Sequence, residues 1–305
     1  MTTRQDKDVR TARFPFETVD VFTDQRFGGN PLAVFPAAEG ISSADMQRLA
    51  HELNLSETTF VLPPADPANT ACVRIFNRTA EMPFAGHPNV GTAFVLAHRF
   101  PSLGDAMRFE EKAGLVDVQL TRDDDGTVSG ATVRAPQPLT VGVEIPVQDV
   151  AACVGLSVGD IMTSTHHPHV ASVGNPYVIA EVTYAALARA APNIEAFRRA
   201  LARHPEFNGR YSVHLYARNG DKLHARMFAP LAGTFEDPAT GSANAPLGAM
   251  LLSLAGGARA EYEIVQGVEM GRPSRLYITA WHEEGAYRAA IRGRCVPVLS
   301  GTALV

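Results

Sequence analysis

The chain has 305 residues, enough for one large domain or for two of ordinary size. Its composition of 46% hydrophobic, 19% charged and 8% aromatic residues is that of a globular protein and excludes a disordered chain, a fibrous repeat and a disulfide miniprotein. The 27 basic residues stand against 32 acidic ones, a net charge of −5, so we expect no strongly basic surface and no nucleic-acid partner.

Short apolar runs separated by turns predict many strands with a few helices between them. The sequence Ser42-Ser43-Ala44-Asp45 has capping-box spacing, and the apolar residues that follow at helical intervals predict a helix that ends near Leu53. In chain order the other predicted elements are strands at 17–22, 31–35, 58–62 and 71–76, a helix at 88–99, strands at 127–134 and 170–182, a helix at 194–201, strands at 211–217 and 223–228, a helix at 243–254, and strands at 274–279 and 287–292. Because the strands and helices do not alternate regularly, the pattern favours the α+β class over a doubly wound parallel sheet.

Neither membrane insertion nor export is expected. The longest uncharged stretch, 238–258, contains two prolines and several polar residues, so it predicts a helix buried in protein and no membrane partner. The polar first segment, residues 1–13, is expected to be a loose tail without a secretory signal. The three cysteines, Cys72, Cys153 and Cys295, fit no close-spaced metal or redox motif, which favours reduced thiols in a cytoplasmic protein without a metal.

Three short motifs occur twice, in the same order. They are G-N-P at 29–31 and 174–176, R-x-F at 74–76 and 226–228, and E-x-P-x-x-G at 81–86 and 236–241. The last motif alone is also a common connection from a turn to a helix. Three matches in one order predict two related halves of about 130–150 residues each.

The E-x-P-x-x-G repeat places a glycine just before a helix in each half. Gly86 is followed by His87, and Gly241 by Ser242. The first backbone N–H groups of a helix lack internal partners and lie at its positive end, so a helix start can bind an anion. Two such starts facing each other across a cleft would bind a small carboxylate substrate. The chain has neither a phosphate-binding loop nor a dinucleotide glycine pattern, so phosphate ligands and nicotinamide cofactors are not indicated.

Four stretches together resemble the PhzF family of phenazine-biosynthesis-like proteins, which is related to diaminopimelate epimerase. They are 21–34 with its VFT and GNPLAV segments, NLSETTF at 54–60, FAGHP at 84–88 and EDPATGSA at 236–243. The resemblance extends over about residues 16 to 255. It implies an α+β fold of two pseudo-symmetric halves, each a mostly antiparallel sheet rolled around a central helix, with the active site in the cleft between them.

The resemblance also implies the limits of the halves, the assembly and the activity. The first half would comprise 14–130 plus 286–305, and the second 131–285. Family members are often homodimers and use no cofactor. Their named activity is the isomerisation of trans-2,3-dihydro-3-hydroxyanthranilate, a proton shift on a small carbocyclic amino acid.

The family's site residues fall on named positions of this chain. Its acid/base glutamate corresponds to Glu57, and its other site residues to His87, Asp237 and Ser242. The backbone N–H groups at Gly86 and Gly241 would bind the substrate carboxylate. Related epimerases use two cysteines at the helix starts, where this chain has histidine and serine, so a two-thiol racemase mechanism is disfavoured.

Each of these residues also has an ordinary structural interpretation. Glu57 alone would be a solvated surface acid, and His87 a helix-start residue without a chemical role. Asp237 before a proline is a natural turn former, and Ser242 a plausible helix cap. The leading functional hypothesis is a cofactor-independent isomerase. The alternatives are an epimerase, racemase or dehydratase acting in the same cleft, and a non-catalytic protein that binds carboxylates.

Overall fold

The computed structural model describes residues 12–207 and 209–305. The predicted tail, residues 1–13, therefore lies mostly outside the described residues, but its last residue does not fit that prediction. Arg13 begins the first strand, and the N–H of Ala12 donates a hydrogen bond to Val305 O at 2.8 Å.

Eighteen strands and six helices lie within the described ranges. The strands are β1 (Arg13–Val21), β2 (Asn30–Phe35), β3 (Glu57–Leu62), β4 (Ala71–Phe76), β5 (Glu81–Met82), β6 (Ala106–Glu111), β7 (Gly114–Arg122), β8 (Val128–Arg134), β9 (Thr140–Glu144), β10 (Ile161–Met162), β11 (His169–Ser172), β12 (Pro176–Val182), β13 (Val213–Asn219), β14 (Lys222–Ala229), β15 (Thr234–Asp237), β16 (Arg259–Gln266), β17 (Ser274–Glu283) and β18 (Ala286–Leu304). The helices are α1 (Ser43–Leu53), α2 (Gly86–Arg99), α3 (Val147–Cys153), α4 (Tyr184–Arg189), α5 (Ile194–Arg203) and α6 (Gly241–Ala255).

The elements that the sequence predicts are present, with two corrections. The strand predicted at 287–292 continues to Leu304 as β18, because its second part pairs with β1. The Ser42 side chain accepts a hydrogen bond from Asp45 N at 3.1 Å, so α1 begins at its predicted cap. The strand predicted at 170–182 is instead two antiparallel strands, β11 and β12, joined by a tight turn. Gly174 makes this turn possible because its φ of +152° is rarely adopted by other residues.

The order of strand pairing is the same in both halves of the chain. Along β1-β2-β3-β4-β6-β7-β8 the successive pairings are antiparallel, parallel, antiparallel, parallel, antiparallel and antiparallel. The series β11-β12-β13-β14-β16-β17-β18 repeats this order without change. The fold is therefore α+β with two pseudo-symmetric halves, as predicted.

Each half surrounds one buried helix. Residues 86–97 of α2 and 241–252 of α6 are all buried, and both helices are apolar on nearly every side. Helix α2 packs against β1, β2 and β8, and α6 packs against β16, β17 and β18. A helix that is apolar all round is stable only inside a protein, so each sheet curves around its helix.

The last strand connects the two sheets. Its first part pairs with β17, its middle with β8, and residues 295–304 pair with β1. This pairing supports assignment of the end of the chain to the first half, although the residue limits of the halves stay a prediction. Among the described helices, none is long and apolar enough to cross a bilayer.

Candidate active site

The two central helices begin next to each other. A Cβ atom placed on Gly86 would lie 3.5 Å from Gly241 Cα and 3.6 Å from the backbone nitrogen of Ser242. The residues before these helices, Ala85 and Thr240, provide no side-chain cap. The first N–H groups of both helices are therefore not used by capping side chains and are suited to bind an anion.

The duplicated R-x-F and E-x-P motifs hold the turns that precede the helices. Arg74 Nε donates to Glu81 Oε1 at 2.8 Å, and Arg226 donates to both carboxylate oxygens of Glu236 at 2.7 and 2.8 Å. Each guanidinium also lies over the phenylalanine ring two residues further along, at 5.1 and 4.9 Å. The same ion pair thus fixes the approach to the helix start in both halves.

The asparagines of the G-N-P motifs link each half to the opposite helix start. Asn30 Nδ2 donates to Ala239 O at 3.0 Å, and Asn175 Nδ2 donates to Phe84 O at 3.3 Å. Residues 84 and 239 hold equivalent positions in the repeat. The G-N-P motif therefore positions the turn of the other half, which explains why it occurs twice.

Glu57 is the first residue of β3 and faces His87 across the start of α2. Its Oε2 lies 3.4 Å from His87 Nε2, and the Glu57 side chain is 18% exposed. Both of these atoms are buried, and neither has a hydrogen-bond partner among the described residues. Since an unpaired buried polar atom is costly, these two atoms are candidates to hydrogen-bond a ligand that enters the cleft.

The protonation states at this point are set mainly by burial. The pKa of Glu57 is raised to about 8: burial is the largest cause, the negative charge of Asp237 acts in the same direction, and the positive charge of Arg78 opposes both. Burial lowers the pKa of His87 to about 3, so its imidazole is neutral at physiological pH. Glu57 can therefore hold or release a proton near neutral pH, while His87 acts as a neutral hydrogen-bonding group.

Asp237 is held by three side chains. It accepts hydrogen bonds from Asn30 Nδ2 at 2.9 Å, Thr240 Oγ1 at 2.5 Å and Ser56 Oγ at 3.4 Å. Burial raises the pKa of Asp237, and these hydrogen bonds lower it. Because the carboxyl groups of Asp237 and Glu57 interact, they titrate as a pair, and the hydrogen bonds favour the negative charge on Asp237.

Ser242 is paired with a residue that sequence reasoning missed. The hydroxyl groups of Ser242 and Tyr177 are hydrogen-bonded at 2.7 Å. Burial raises the pKa of the Tyr177 phenol, so it stays protonated. Tyr177 is the second residue of β12, and no motif or spacing in the sequence distinguishes it from a packing residue.

A cavity of about 460 Å³ lies between the two halves. All six predicted site residues line it, namely Glu57, Gly86, His87, Asp237, Gly241 and Ser242. Tyr177 and Arg210 also line it, and Arg210 Nη1 lies 3.4 Å from Met82 Sδ on the opposite side of the cleft. A pocket of this size suits a small molecule. None of the described residues that line it is a cysteine, so a two-thiol racemase reaction has no thiol here.

Asn30, Ser56 and Thr240 complete the set that sequence reasoning did not place in the site. All three donate to Asp237. Asn30 had a signal, since G-N-P is duplicated, but its partner lies 207 residues away in the sequence. The whole arrangement combines an anion-binding point, a proton-carrying carboxyl group and a neutral imidazole, which together can move a proton on a bound acid.

Comparison with known proteins identifies the relatives of this chain. The family described as phenazine biosynthesis-like protein matches residues 19–301. A trans-2,3-dihydro-3-hydroxyanthranilate isomerase from Pseudomonas aeruginosa is 38% identical over 89% of this chain and 91% of the relative. An uncharacterised isomerase from Mesorhizobium japonicum is 36% identical over 92% of this chain and 96% of the relative.

A solved structure of a PhzF-family phenazine biosynthesis protein from Bacillus anthracis has the same fold. It matches with a TM-score of 0.85 at 26% identity, over 96% of this chain and 100% of the other. The family match covers nearly the whole chain, and the relatives align over almost their full length. The chain therefore belongs to the family of phenazine biosynthesis-like proteins.

Proposed function

We propose that this protein is a cofactor-independent isomerase that moves a proton on a small amino- or hydroxy-carboxylate, with Glu57 as both acid and base. The proposed substrate is similar to trans-2,3-dihydro-3-hydroxyanthranilate. At the coarser level the chain is an enzyme of the isomerase type, since several full-length relatives are named isomerases. Its own substrate and the role of Glu57 are the parts proposed here.

The main support for this proposal is that Glu57 Oε2 and His87 Nε2 face each other without either forming a hydrogen bond within the described part of the chain. These two buried atoms lie next to the start of α2, where a carboxylate would bind. A substrate held there by its carboxylate would present its neighbouring carbons to Glu57. A merely structural carboxyl group in this position would be paired, because leaving it unpaired costs stability and gains nothing.

The proposed reaction uses one carboxyl group twice. The Glu57 carboxylate takes a proton from a carbon activated by a neighbouring double bond, and then returns it to another carbon of the same molecule. A raised pKa suits this role, since proton transfer in both directions is fastest when acid and base strengths are similar. His87, Asp237 and Ser242 orient the substrate and its developing charge.

The substitution Glu57→Gln tests the proposal. It keeps the shape of the side chain but removes the proton carrier, so turnover of trans-2,3-dihydro-3-hydroxyanthranilate should fall by about 10²–10⁴-fold. Incorporation of deuterium from D₂O into the product should fall with it. The matched control is Glu52→Gln on the exposed face of α1, which should leave both unchanged. Undiminished exchange in Glu57→Gln would remove Glu57 from the mechanism.

The same assay separates the alternative functions. Deuterium exchange into a chiral carboxylate without net conversion would indicate an epimerase, and loss of water a dehydratase. Binding without exchange or conversion would indicate a non-catalytic carboxylate-binding protein. No observation at the site favours one of these over isomerisation.

The cellular setting of the enzyme is part of the same proposal. We place it in the cytoplasm as a homodimer. All three cysteines are free, and two of them are buried, which suits a reducing compartment. The dimer rests on the family relationship alone, and sedimentation of the purified protein would test it.

A further inference from the structure

We propose that Glu111 is a positioning residue for the start of α2: held as a neutral carboxylic acid, it does in the first half what the Gln266 amide does in the second. This inference goes beyond the proposed function and does not depend on the substrate. It rests on the internal repeat, on buried atoms without partners, and on the hydrogen bonds of the equivalent residue.

Glu111 and Gln266 occupy the same place in the two halves. Glu111 precedes Gln266 by 155 residues, the separation that also relates Gly86 to Gly241. Both are the last residues of their strands, β6 and β16. The strand pairing agrees, because β6 runs parallel to β4 in the register in which β16 runs parallel to β14.

Gln266 fixes the helix start of the second half with four hydrogen bonds. Its Nε2 donates to Asp237 O at 2.8 Å and to Thr240 Oγ1 at 3.0 Å. Its Oε1 accepts from Thr240 N at 3.1 Å and from Asn244 Nδ2 at 2.8 Å. The amide thus ties the end of β16 to the turn that carries Asp237 and to the first turn of α6.

The first half has the equivalent asparagine hydrogen bond at its helix start, but Glu111 stands where the second half has Gln266. Asn89 Nδ2 donates to Ala85 O at 3.0 Å, as Asn244 Nδ2 donates to Thr240 O at 3.0 Å. Both oxygens of Glu111, and Asn89 Oδ1, are buried without a hydrogen-bond partner among the described residues. The Asn89 side chain can donate to a Glu111 carboxylate, but only a protonated Glu111 can also donate to Asn89 Oδ1.

The charges around Glu111 also favour the neutral acid. The pKa of Glu111 is raised to about 8, because burial outweighs the hydrogen-bonding effect of the Asn89 side chain that lowers it. Helix α2 presents the uncharged Asn89, and β4 presents the thiol of Cys72, whose pKa is itself raised. The nearest cation in the sequence, Lys112, directs its Nζ to Glu81 at 3.0 Å. Protonated Glu111 has nearly the shape of glutamine, so it can substitute for Gln266 at this position.

The consequence concerns the active site, because α2 begins with Gly86 and His87. If Glu111 lost its proton, a buried negative charge would lie beside Asn89 in the first turn of α2 and destabilise this contact. The neutral acid therefore keeps one of the two helix starts in place. Glu111 does not line the cavity and is not a catalytic residue.

The variants Glu111→Gln and Glu111→Ala test this role through unfolding by urea between pH 5 and pH 8. The folded state of the wild type holds a proton that the unfolded chain releases above about pH 4.5, so its free energy of unfolding should fall as the pH rises to about 8. Glu111→Gln lacks this proton and should gain stability relative to the wild type over that range. Glu111→Ala should lose stability at every pH.

The neighbouring Glu110 provides a control of opposite sign. It accepts hydrogen bonds from Ala65 N, Asp66 N and Asn69 Nδ2, which lower its pKa. Glu110 is therefore ionised in both the folded and the unfolded state between pH 5 and pH 8, so Glu110→Gln should be less stable than the wild type by an amount that does not change over that range. Glu111→Gln should instead gain stability relative to the wild type as the pH rises, so the two adjacent glutamates differ in both the sign and the pH dependence of the effect.

Infrared spectra and steady-state kinetics complete the test. At pH 7 the wild-type minus Glu111→Gln difference spectrum should contain the band of a protonated carboxylic acid. With trans-2,3-dihydro-3-hydroxyanthranilate, Glu111→Gln should keep the wild-type KM and Glu111→Ala should raise it. A carboxylate band at pH 7, or a Glu111→Gln variant as unstable as Glu111→Ala, would overturn the proposal. The spectra and unfolding curves need no substrate, so failure of the proposed function would leave this result standing.

Discussion

At the scale of single residues, the buried carboxyl group of Glu57 lowers the stability of the folded protein above about pH 4.5. Its pKa is raised to about 8 by burial, so folding retains a proton that the unfolded chain loses above about pH 4.5. Stability must then fall as the pH rises from about 4.5 to 8. Glu57→Gln removes this cost and should be more stable than the wild type at pH 8, by on the order of 3 kcal/mol, with a smaller difference at pH 5. Urea unfolding of both proteins at both pH values measures this difference. Equal stability at pH 8 would show that the pKa of Glu57 is not raised in the folded state.

Two neighbouring charges should shift the pH profile in opposite directions. Asp237 raises the pKa of Glu57, and Arg78 lowers it. If ionised Glu57 is the base, kcat/KM rises as the pH passes through its pKa. The acidic limb of the profile should therefore move to lower pH in Asp237→Asn and to higher pH in Arg78→Met. Stopped-flow or steady-state rates across pH 5–9 would measure both. Shifts of the same sign would exclude Glu57 as the group that titrates.

The sequence predicted the residues proposed to be catalytic better than the residues that contact them. Glu57, His87, Asp237 and Ser242 lie in short motifs, and each motif has its own local pattern. Tyr177 directly follows the second G-N-P motif, and Ser56 lies in the same motif as Glu57, but neither motif shows what these two side chains contact. Their roles arise only because the fold brings them to Ser242 and Asp237, 65 and 181 residues away in the sequence. Contacts between positions so distant cannot be deduced from the local arrangement of residue types.

At the scale of elements, the space between the two helix starts should limit carboxylate binding. A methyl group on Gly86 would extend toward Gly241 and the backbone nitrogen of Ser242 at ordinary contact distances, so Gly86→Ala should fold. It would nevertheless occupy the space next to the anion-binding N–H groups. Losing one hydrogen bond to a charged group should raise KM by about 10–100-fold.

Gly241→Ala is the matched control for this prediction. Its added methyl group would face Ile291 and the ring of Phe22, in the interior and away from the other helix start. We expect it to affect stability more than KM. Steady-state kinetics and thermal unfolding of both variants would distinguish these effects. A larger rise of KM in Gly241→Ala than in Gly86→Ala would contradict this view of the anion site.

Most strands with continuous apolar runs were predicted within a few residues of their observed ends. Strands that carry charged residues or are fully exposed were missed. β4 is predicted with its observed limits, because ACVRIF is mostly apolar and β-branched or aromatic. β6, β7 and β16 contain several charged residues on their outer faces, and β9 is exposed at every position. Such strands form because neighbouring strands supply their hydrogen bonds, and the local sequence does not contain that information.

At the scale of the whole molecule, the two halves are joined in several ways that act together. β18 pairs with β17, β8 and β1, so one continuous strand belongs to the sheets of both halves. Asn30 and Asn175 each hold the helix start of the opposite half. The candidate site lies between these connections, so the relative position of the halves fixes the distance between site residues that belong to different halves.

This joining predicts that the two halves unfold together. The single tryptophan, Trp281, lies on β17, and its ring centroid is 5.0 Å from the guanidinium carbon of Arg134 at the end of β8. Its fluorescence therefore reports on the contact between β17 and β8. In urea, the transition in Trp281 fluorescence should coincide with the loss of far-ultraviolet circular dichroism, which reports on the whole chain.

Gly301→Ala is a suitable perturbation, because its methyl group would press on the ring of Phe16 where β18 pairs with β1, far along the strand from Trp281. Although the change lies in the first half, it should lower both midpoints by the same amount. A circular dichroism transition that moves while the fluorescence transition stays would mean that the halves are independent, and that β18 connects them without coupling them.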